Sequence, residues 1–346
     1  MLKRPGFSVY LSTFSAQWPT LGRWENTGAP VFLSLYMSEE AGLCGKAEEI
    51  CHTLADHGFR IIADVSKETL SMFGEPDLIR LAIRLKLYAL RIDDGFSPEE
   101  IAAMAEKIPV VLNASTTDGE DARMIGSRGQ QVFGLHNFYP RPETGLDRDQ
   151  LQKTTEKLHH AGLKVMAFIG GDENLRGPIF EGLPTLEDHR HVLPSAAFAD
   201  LILHYDMDDV FVGDQGLSEK EQERIRTFCE ENVLCIPAEL TEGYEHLYGR
   251  VFTSRTDSPD RLLRFQESRA YARQGERIHP GNCVRRQRGA ITIDNEKYLR
   301  YSGEIQMIRR DLPQDDRVNV IGQVPQNAEL LMDCIGGGQK FKLVKP

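Results

Sequence analysis

What this sequence lacks narrows its class before any motif is read. Cysteine occurs six times in 346 residues. Cys44, Cys51, Cys229, Cys235, Cys283 and Cys334 are scattered, with no CxxC pair and no histidine cluster at zinc spacing. That pattern argues against a zinc site or a disulfide frame and predicts reduced thiols. No metal ligand set is expected, and no cofactor. Long apolar runs are missing too: nowhere are there about 18 consecutive apolar residues, so no membrane-spanning helix is expected. The opening MLKRPGFSVYLS has a short apolar run broken by Ser and Tyr, which reads as a first strand and not as a signal peptide. A soluble, cytoplasmic protein is expected. Positive charge is scarce, with 41 Lys and Arg against 52 Asp and Glu and a net charge of -11. That balance disfavours nucleic acid and anionic membranes as partners, and a local basic pocket for one small anion stays compatible with it. Absent as well are a Walker loop, a nucleophile elbow and a metal box, which speaks against NTP, serine-hydrolase and zinc chemistry.

What is present is a repeated strand followed by a helix. Strand-like runs fall at Phe7–Ser12, Val31–Tyr36, Arg60–Asp64, Tyr88–Asp93, Val110–Ala114, Val132–His136, Lys164–Ile169 and Asp209–Val212. Helical segments alternate with them, including Glu39–His57, Asp147–His160 and Ser218–Glu231. Ser97-Pro98-Glu99-Glu100 carries a cap, a first-turn Pro and two acids, and predicts a helix start. Eight such repeats in roughly 230 residues fit a (β/α)8 TIM barrel within an α/β class. An open doubly wound sheet is the competitor, but the first turn, STFSAQWPT, has no GxGxxG. After about residue 232 the runs become mostly β (VLCIPA, RVFTS, AITID, EIQMI, RVNVIGQV, FKLV), with one helix expected around Asp260–Ala272. The domain expectation is residues 1–231 for a catalytic barrel and 232–346 for a mostly-β domain.

In a barrel, active-site groups belong at the C-terminal ends of strands. Those ends supply Ser12, Asp64, Asp93 with Asp94, Asn113 with Ser115, His136 with Asn137, Asp172 and Asp214. Four constellations follow. Arg91-Ile92-Asp93-Asp94-Gly95-Phe96 offers paired carboxylates, as glycosidic bond cleavage uses. Arg176 and Glu181, in a Gly- and Pro-bounded loop, offer a fork for a phosphate or carboxylate and a held acid. His136-Asn137-Phe138-Tyr139 suits binding of a sugar more than catalysis. Asn113, Ser115 and Thr116, with Lys67, can hold an anion or can cap the next helix. The stretch Gly134–His189 is the densest in such groups.

Certain long strings carry a resemblance. ADVSKETLSMFG, LRIDDGF, LNASTT, HNFYPRPETGL and RGPIFEGLPTLEDHR, with NEKYLRYSGEIQ and RVNVIGQV, resemble MupG-type 6-phospho-N-acetylmuramidases over essentially the whole chain. Members of that family formerly carried the label outer surface protein. The resemblance implies an N-terminal TIM barrel and a C-terminal cyclophilin-like domain. It also implies cytoplasmic hydrolysis of N-acetylmuramic acid 6-phosphate–N-acetylglucosamine in bacterial peptidoglycan recycling. On this reading the substrate is a phosphorylated amino-sugar disaccharide, with no nucleic acid and no membrane as partner, and a homo-oligomer is compatible with it. Expected catalytic residues are Asp94 as general acid and Asp93 orienting the substrate's acetamido group, with Glu181 as the alternative acid or nucleophile. Expected binding residues are Asp64, Asn113, Ser115, Thr116, His136, Asn137, Tyr139, Arg176 and Asp214. A sugar-phosphate isomerase or aldolase, and a non-catalytic binding protein, remain the other classes.

Overall fold

A computed structural model describes residues 4–35, 43–93, 95–129, 131–269 and 277–346. Its first part runs β1 (Pro5–Ser8), α1 (Phe14–Leu21), β2 (Pro30–Ser34), α2 (Cys44–Asp56), β3 (Arg60–Val65), α3 (Lys67–Phe73), α4 (Leu78–Arg84), β4 (Ala89–Ile92), α5 (Pro98–Ala105), β5 (Val110–Asn113), α6 (Gly119–Arg128), β6 (Val132–Leu135), α7 (Arg148–His160), β7 (Lys164–Ile169), α8 (Pro194–His204), β8 (Asp209–Val212) and α9 (Glu219–Glu231). The strands β1 to β8 close into one parallel barrel in chain order. They are short, almost wholly buried runs, as strands covered on both faces must be. Helix starts follow local chemistry. Asp77, Asp118 and Asp147 accept backbone N–H groups of α4, α6 and α7, and Ser97 with Glu100 forms a capping box on α5.

The barrel interior is filled by Phe32, Ile62, Ala89, Val111, Phe133, Leu135, Met166, Phe168 and Phe211. Phe168 is the hub, with ring centroids 5.5 Å from Phe32, 5.1 Å from Phe138 and 5.6 Å from Phe211. Gly6 faces the same interior. A Cβ there would lie 2.4 Å from the Phe211 ring, so the missing side chain is the space this ring occupies.

Two departures from the sequence pattern stand out in the barrel. β1 ends at Ser8, and the stretch read as a turn contains α1. The cause is tertiary: Gln17, 3% exposed, accepts from the Tyr10 N–H at 2.9 Å and donates to the Ser8 carbonyl at 2.8 Å, which pins this helix under the strand end. The expected helix Glu39–His57 is seen from Cys44 onward, and its first residues lie outside the described ones.

The later part contains β9 (Val233–Pro237), β10 (Glu239–Leu240), β11 (Val251–Thr253), β12 (Leu262–Arg264), β13 (Ala290–Asp294), β14 (Ile305–Ile308), β15 (Val318–Gln323) and β16 (Lys340–Val344). These form a five-stranded antiparallel sheet, β10-β15-β13-β14-β12, and a three-stranded sheet, β11-β16-β9. Phe252, Phe265 and Phe341 pack together between them, with centroids 4.7 to 6.0 Å apart. The helix expected around Asp260–Ala272 is corrected in its first part, since Leu262–Arg264 is a strand, while residues 270–272 lie outside the described ones. Leu263 pairs with Met307, and the Phe265 N–H donates to the Ile305 carbonyl at 3.0 Å. Leu263 and Phe265 are each 1% exposed, so burial alternates with period two once β14 is alongside. By compactness the chain divides into Met1–Pro194 with Leu201–Gln222, and Ser195–Asp200 with Glu223–Pro346. Cys51, Cys229, Cys235, Cys283 and Cys334 carry free thiols. Among the described residues no helix is long and apolar enough to cross a membrane.

Gly6→Ala is expected to lower the unfolding free energy of the barrel by about 1–3 kcal/mol through overpacking. Urea denaturation followed by tryptophan fluorescence reads it, since Trp24 packs on Phe7 of the same strand. An unchanged midpoint would contradict the packing described.

Candidate active site

The site begins with strand register. Ser34 pairs with Asp64, and Asp64 with Arg91, so β2, β3 and β4 set three polar side chains side by side. Each stands two residues beyond an interior residue (Phe32, Ile62, Ala89) and so shares its face, one layer nearer the C-terminal mouth. Arg91 is 5% exposed. A guanidinium so deeply placed must be paired and hydrogen-bonded, or its desolvation would be prohibitive. Its Nη1 donates to Asp64 Oδ1 at 2.6 Å and to Asp93 Oδ1 at 3.2 Å, and its Nη2 donates to Asn137 Oδ1 at 2.7 Å. Asn113 Nδ2 lies 3.4 Å from the same Asp93 oxygen. The Asp93 carboxylate, just past the end of β4, is thus held from two sides.

Above this layer opens a cavity of about 360 Å³. Ser34, Asp64, Arg91, Asp93 and Asn137 line one part of it. Phe32, Phe138, Tyr139, Phe168 and Arg176 line the rest, which makes a charged pocket with aromatic walls.

The walls are fixed by three buried polar residues. Thr185 takes hydrogen bonds from Phe168 N–H at its hydroxyl, returns one from its own N–H to the Phe168 carbonyl, and donates its hydroxyl to the Asn137 carbonyl. Asp214 accepts backbone N–H bonds from Gly171, Arg176 and Leu183 at 2.8, 2.9 and 3.0 Å, which folds the segment after β7 around one carboxylate. Burial raises the Asp214 pKa, against the pull of those three donors. Arg190, 6% exposed, donates to the carbonyls of Tyr139, Arg141, Glu181 and Gly182, and to both oxygens of Glu187 at 2.7 Å. Glu187 in turn accepts the N–H groups of Glu143 and Gly145. A Cβ on Gly145 would lie 2.6 Å from that carboxylate, so only glycine admits the contact. Arg190 and Glu187 therefore clamp the two segments that follow β6 and β7.

The residues singled out from sequence divide accordingly. Asp64, Asp93, Asn137, Tyr139 and Arg176 come together on the cavity. Asn113 supports Asp93 from beside it, and the Ser115 hydroxyl stands 3.5 Å from the Tyr139 hydroxyl. Asp94 lies outside the described residues. Three of the residues singled out are placed off the cavity lining. His136 does not face the cavity: it is fully buried, its Nε2 meets the Thr155 hydroxyl of α7 at 3.1 Å, and burial depresses its pKa to about 4. Adjacent strand residues point to opposite sides, and the apolar interior takes Leu135 instead. Glu181 is exposed and does not line the cavity, since its carbonyl is the group turned inward to Arg190. Thr116 is exposed, with its N–H turned back to the Asn113 carbonyl. Asp214 is close by but binds backbone, a scaffold role. Two other strand-end residues fall away: Asp172 accepts from Ser218 N–H, and Ser12 lies past the true end of β1. Lys67 pairs with Glu100 at 3.5 Å over the Phe96 ring.

Sequence reasoning missed Ser34 and Arg190, and it included Arg91 in the first constellation without giving it a role in the site. The signal for Arg91 was present, because an arginine between Leu90 and Ile92 in a buried strand has to be answered by carboxylates.

Glu187 supplies a pH prediction. Arg190 and two backbone N–H groups hold its carboxyl at about 2, below the ordinary 4.5. A depressed folded pKa gives stability that is complete above 4.5 and is lost as pH falls through about 2. Glu187→Gln is therefore expected to melt several degrees below wild type at pH 7, with the gap closing between pH 4.5 and 2. Thermal melts across that range check it, and a pH-independent gap would refute the linkage.

Family models match both parts of the chain. The model for the N-terminal part of 6-phospho-N-acetylmuramidase covers residues 5–227, and that for its C-terminal part covers residues 234–344. No curated protein matches. Two crystal structures are similar over full length. One is a conserved protein of unknown function from Enterococcus faecalis, 30% identical, with TM-score 0.86, covering 99% of this chain and 96% of that one. The other is an uncharacterized B. cereus protein, 25% identical, with TM-score 0.80 and complete coverage of both chains. The fold is a closed eight-stranded parallel barrel followed by β sheets, and the matched models span nearly all of it. The chain belongs to the 6-phospho-N-acetylmuramidase family and is a glycosidase.

Proposed function

We propose that this enzyme hydrolyses the bond joining N-acetylmuramic acid 6-phosphate to N-acetylglucosamine, in the cytoplasm, during recycling of peptidoglycan fragments. The catalytic domain is residues 1–231, and residues 232–346 form a cyclophilin-like domain. The observation that carries this reading is the cavity itself. A carboxylate held by Arg91 and Asn113, Asp93, shares one pocket with a second arginine, Arg176, between aromatic walls. A sugar ring bearing an anion needs those three elements: an apolar face to rest on, a fork for the anion, and a fixed carboxylate at the reacting carbon.

The acetamido group of the substrate adjoins the scissile bond and serves as the internal nucleophile. Asp93 accepts the amide N–H and orients its carbonyl oxygen toward the anomeric carbon. As that C–O bond forms, the bond to the leaving sugar breaks, and Asp94 gives its proton to the departing oxygen. Water then attacks the anomeric carbon, Asp94 takes a proton from it, and the acetamido group is released. Asp64 pairs with Arg91 at 2.6 Å, and its part is to keep Arg91 in place. Arg176 grips the 6-phosphate or the lactyl carboxylate, and Asn137, Ser115 and Tyr139 meet hydroxyls.

Asp93→Asn and Asp94→Asn are each expected to lower kcat by about 10²–10⁴-fold, with KM for a chromogenic 6-phosphomuramic acid glycoside changed far less. Near-normal turnover in either variant would remove that residue from the mechanism. Arg176→Ala is expected to raise KM for the phosphorylated glycoside by roughly 10–100-fold, and to leave the unphosphorylated one nearly unaffected. Equal losses on both substrates would sink the assignment of Arg176 to the phosphate.

A further inference from the structure

Tyr10 has no place in the mechanism above, yet it touches its anion-binding group. The Arg176 Cζ lies 4.6 Å from the centroid of the Tyr10 ring. Tyr10 is 5% exposed, in the short link between β1 and α1, and every polar group it has at hand is engaged inward. Its O–H donates to the Gly213 carbonyl at 2.6 Å, just past β8, and its N–H donates to Gln17 Oε1 at 2.9 Å. Gln17 is tied in turn to the Ser8 carbonyl. The ring is therefore a fixed plane, anchored at both ends to neighbouring strand ends of the barrel.

Arg176 meets that plane from a loop. Its backbone N–H donates to Asp214 Oδ1 at 2.9 Å, so one end of the residue is fixed by the carboxylate that organises the segment. The other end is a long side chain, which on an exposed loop would sample many rotamers and lose that freedom on binding. An aromatic face under the guanidinium attracts the cation and removes much of this freedom beforehand. It also occupies one side of the guanidinium, with Cζ 4.6 Å from the ring centroid. Recognition then falls to the in-plane N–H donors, the geometry that takes two oxygens of a phosphate or carboxylate.

We propose that Tyr10 is a positioning residue that sets specificity for an anionic substituent on the sugar, by presenting the Arg176 guanidinium edge-on to the cavity. This rests on the reading of Arg176 as the group that holds the substrate's anion.

The experiment compares Tyr10→Phe, Tyr10→Leu, Arg176→Ala and the Tyr10→Leu/Arg176→Ala double variant. Each is assayed on the 6-phosphorylated and unphosphorylated chromogenic muramic acid glycosides. Tyr10→Phe keeps the ring and is expected to retain the preference for phosphate. Tyr10→Leu is expected to lose about 3- to 30-fold in kcat/KM on the phosphorylated glycoside only, through KM. In the double variant the loss should not exceed that of Arg176→Ala, because both act through one contact. Equal loss on both substrates, or additive losses, would overturn the proposal and leave Tyr10 as packing alone. A selective loss in Arg176→Ala without one in Tyr10→Leu overturns only the role of Tyr10. No selective loss in Arg176→Ala overturns the anion-site reading and this inference with it. If Tyr10→Leu does not fold, Tyr10→Met replaces it. Failure of both to fold while Tyr10→Phe folds would mark the ring as a core filler and overturn the proposal.

Discussion

A positive charge held inside the barrel is the constraint on which the site depends. Arg91 stands on β4 where its neighbours along the chain are Leu90 and Ile92, and its side chain is almost wholly withdrawn from water. An unpaired charge there would cost several kcal/mol or more. The ion pair with Asp64 and the bonds to Asp93 and Asn137 offset that cost, and in doing so they determine where each of those groups sits. Replacing Arg91 leaves two carboxylates without their shared partner, and replacing Asp64 leaves the guanidinium its longer contact to Asp93 and the bond to Asn137. The network is therefore weak as a source of stability and strong as a source of geometry.

The same logic recurs one layer out, where backbone and not side chains must be held. The segments after β6 and β7 are rich in Gly and Pro and form little regular structure of their own. Their carbonyls and N–H groups find partners in single buried side chains: Arg190 for four carbonyls, Asp214 for three N–H groups, Thr185 for the stitch to β7 and Asn137. Irregular backbone held in this way can present Tyr139 and Arg176 to a pocket with little freedom left to lose. The richness of Gly134–His189 in polar residues thus has two sources. Some of them, such as Asn137, Tyr139 and Arg176, face the cavity, and others, Thr185 and Glu187, build the wall that carries it.

Legibility in the sequence followed range. β7 and β8 match the expected strands residue for residue, and β3 to β6 match within a residue or so, because a buried parallel strand is a local apolar run. The capping box at Ser97 was equally plain. The helix over Phe14–Leu21 was hidden, since it depends on Gln17 bonding back to a strand end. Leu262–Arg264 was misread because its neighbours fit a helical spacing until β14 pairs with it. Among candidate site residues, Asp64, Asp93 and Asn137 could be named from strand ends, and Tyr139 and Arg176 from the polar loops that follow them. His136, Glu181 and Thr116 could not be told from them, because which way a side chain turns after a strand end is decided by what the next loop packs against.

The amino-acid sequence by itself determined the α/β alternation, the barrel, the change to β structure near residue 232, and the family. Each of these rests on local periodicity or on long strings that need no contact to be recognised. Only the tertiary structure decided which polar residues meet. Strand register puts Ser34, Asp64 and Arg91 in one row from positions 27 to 57 residues apart. The cost of burying the Arg91 charge then draws Asp93 and Asn137 to it.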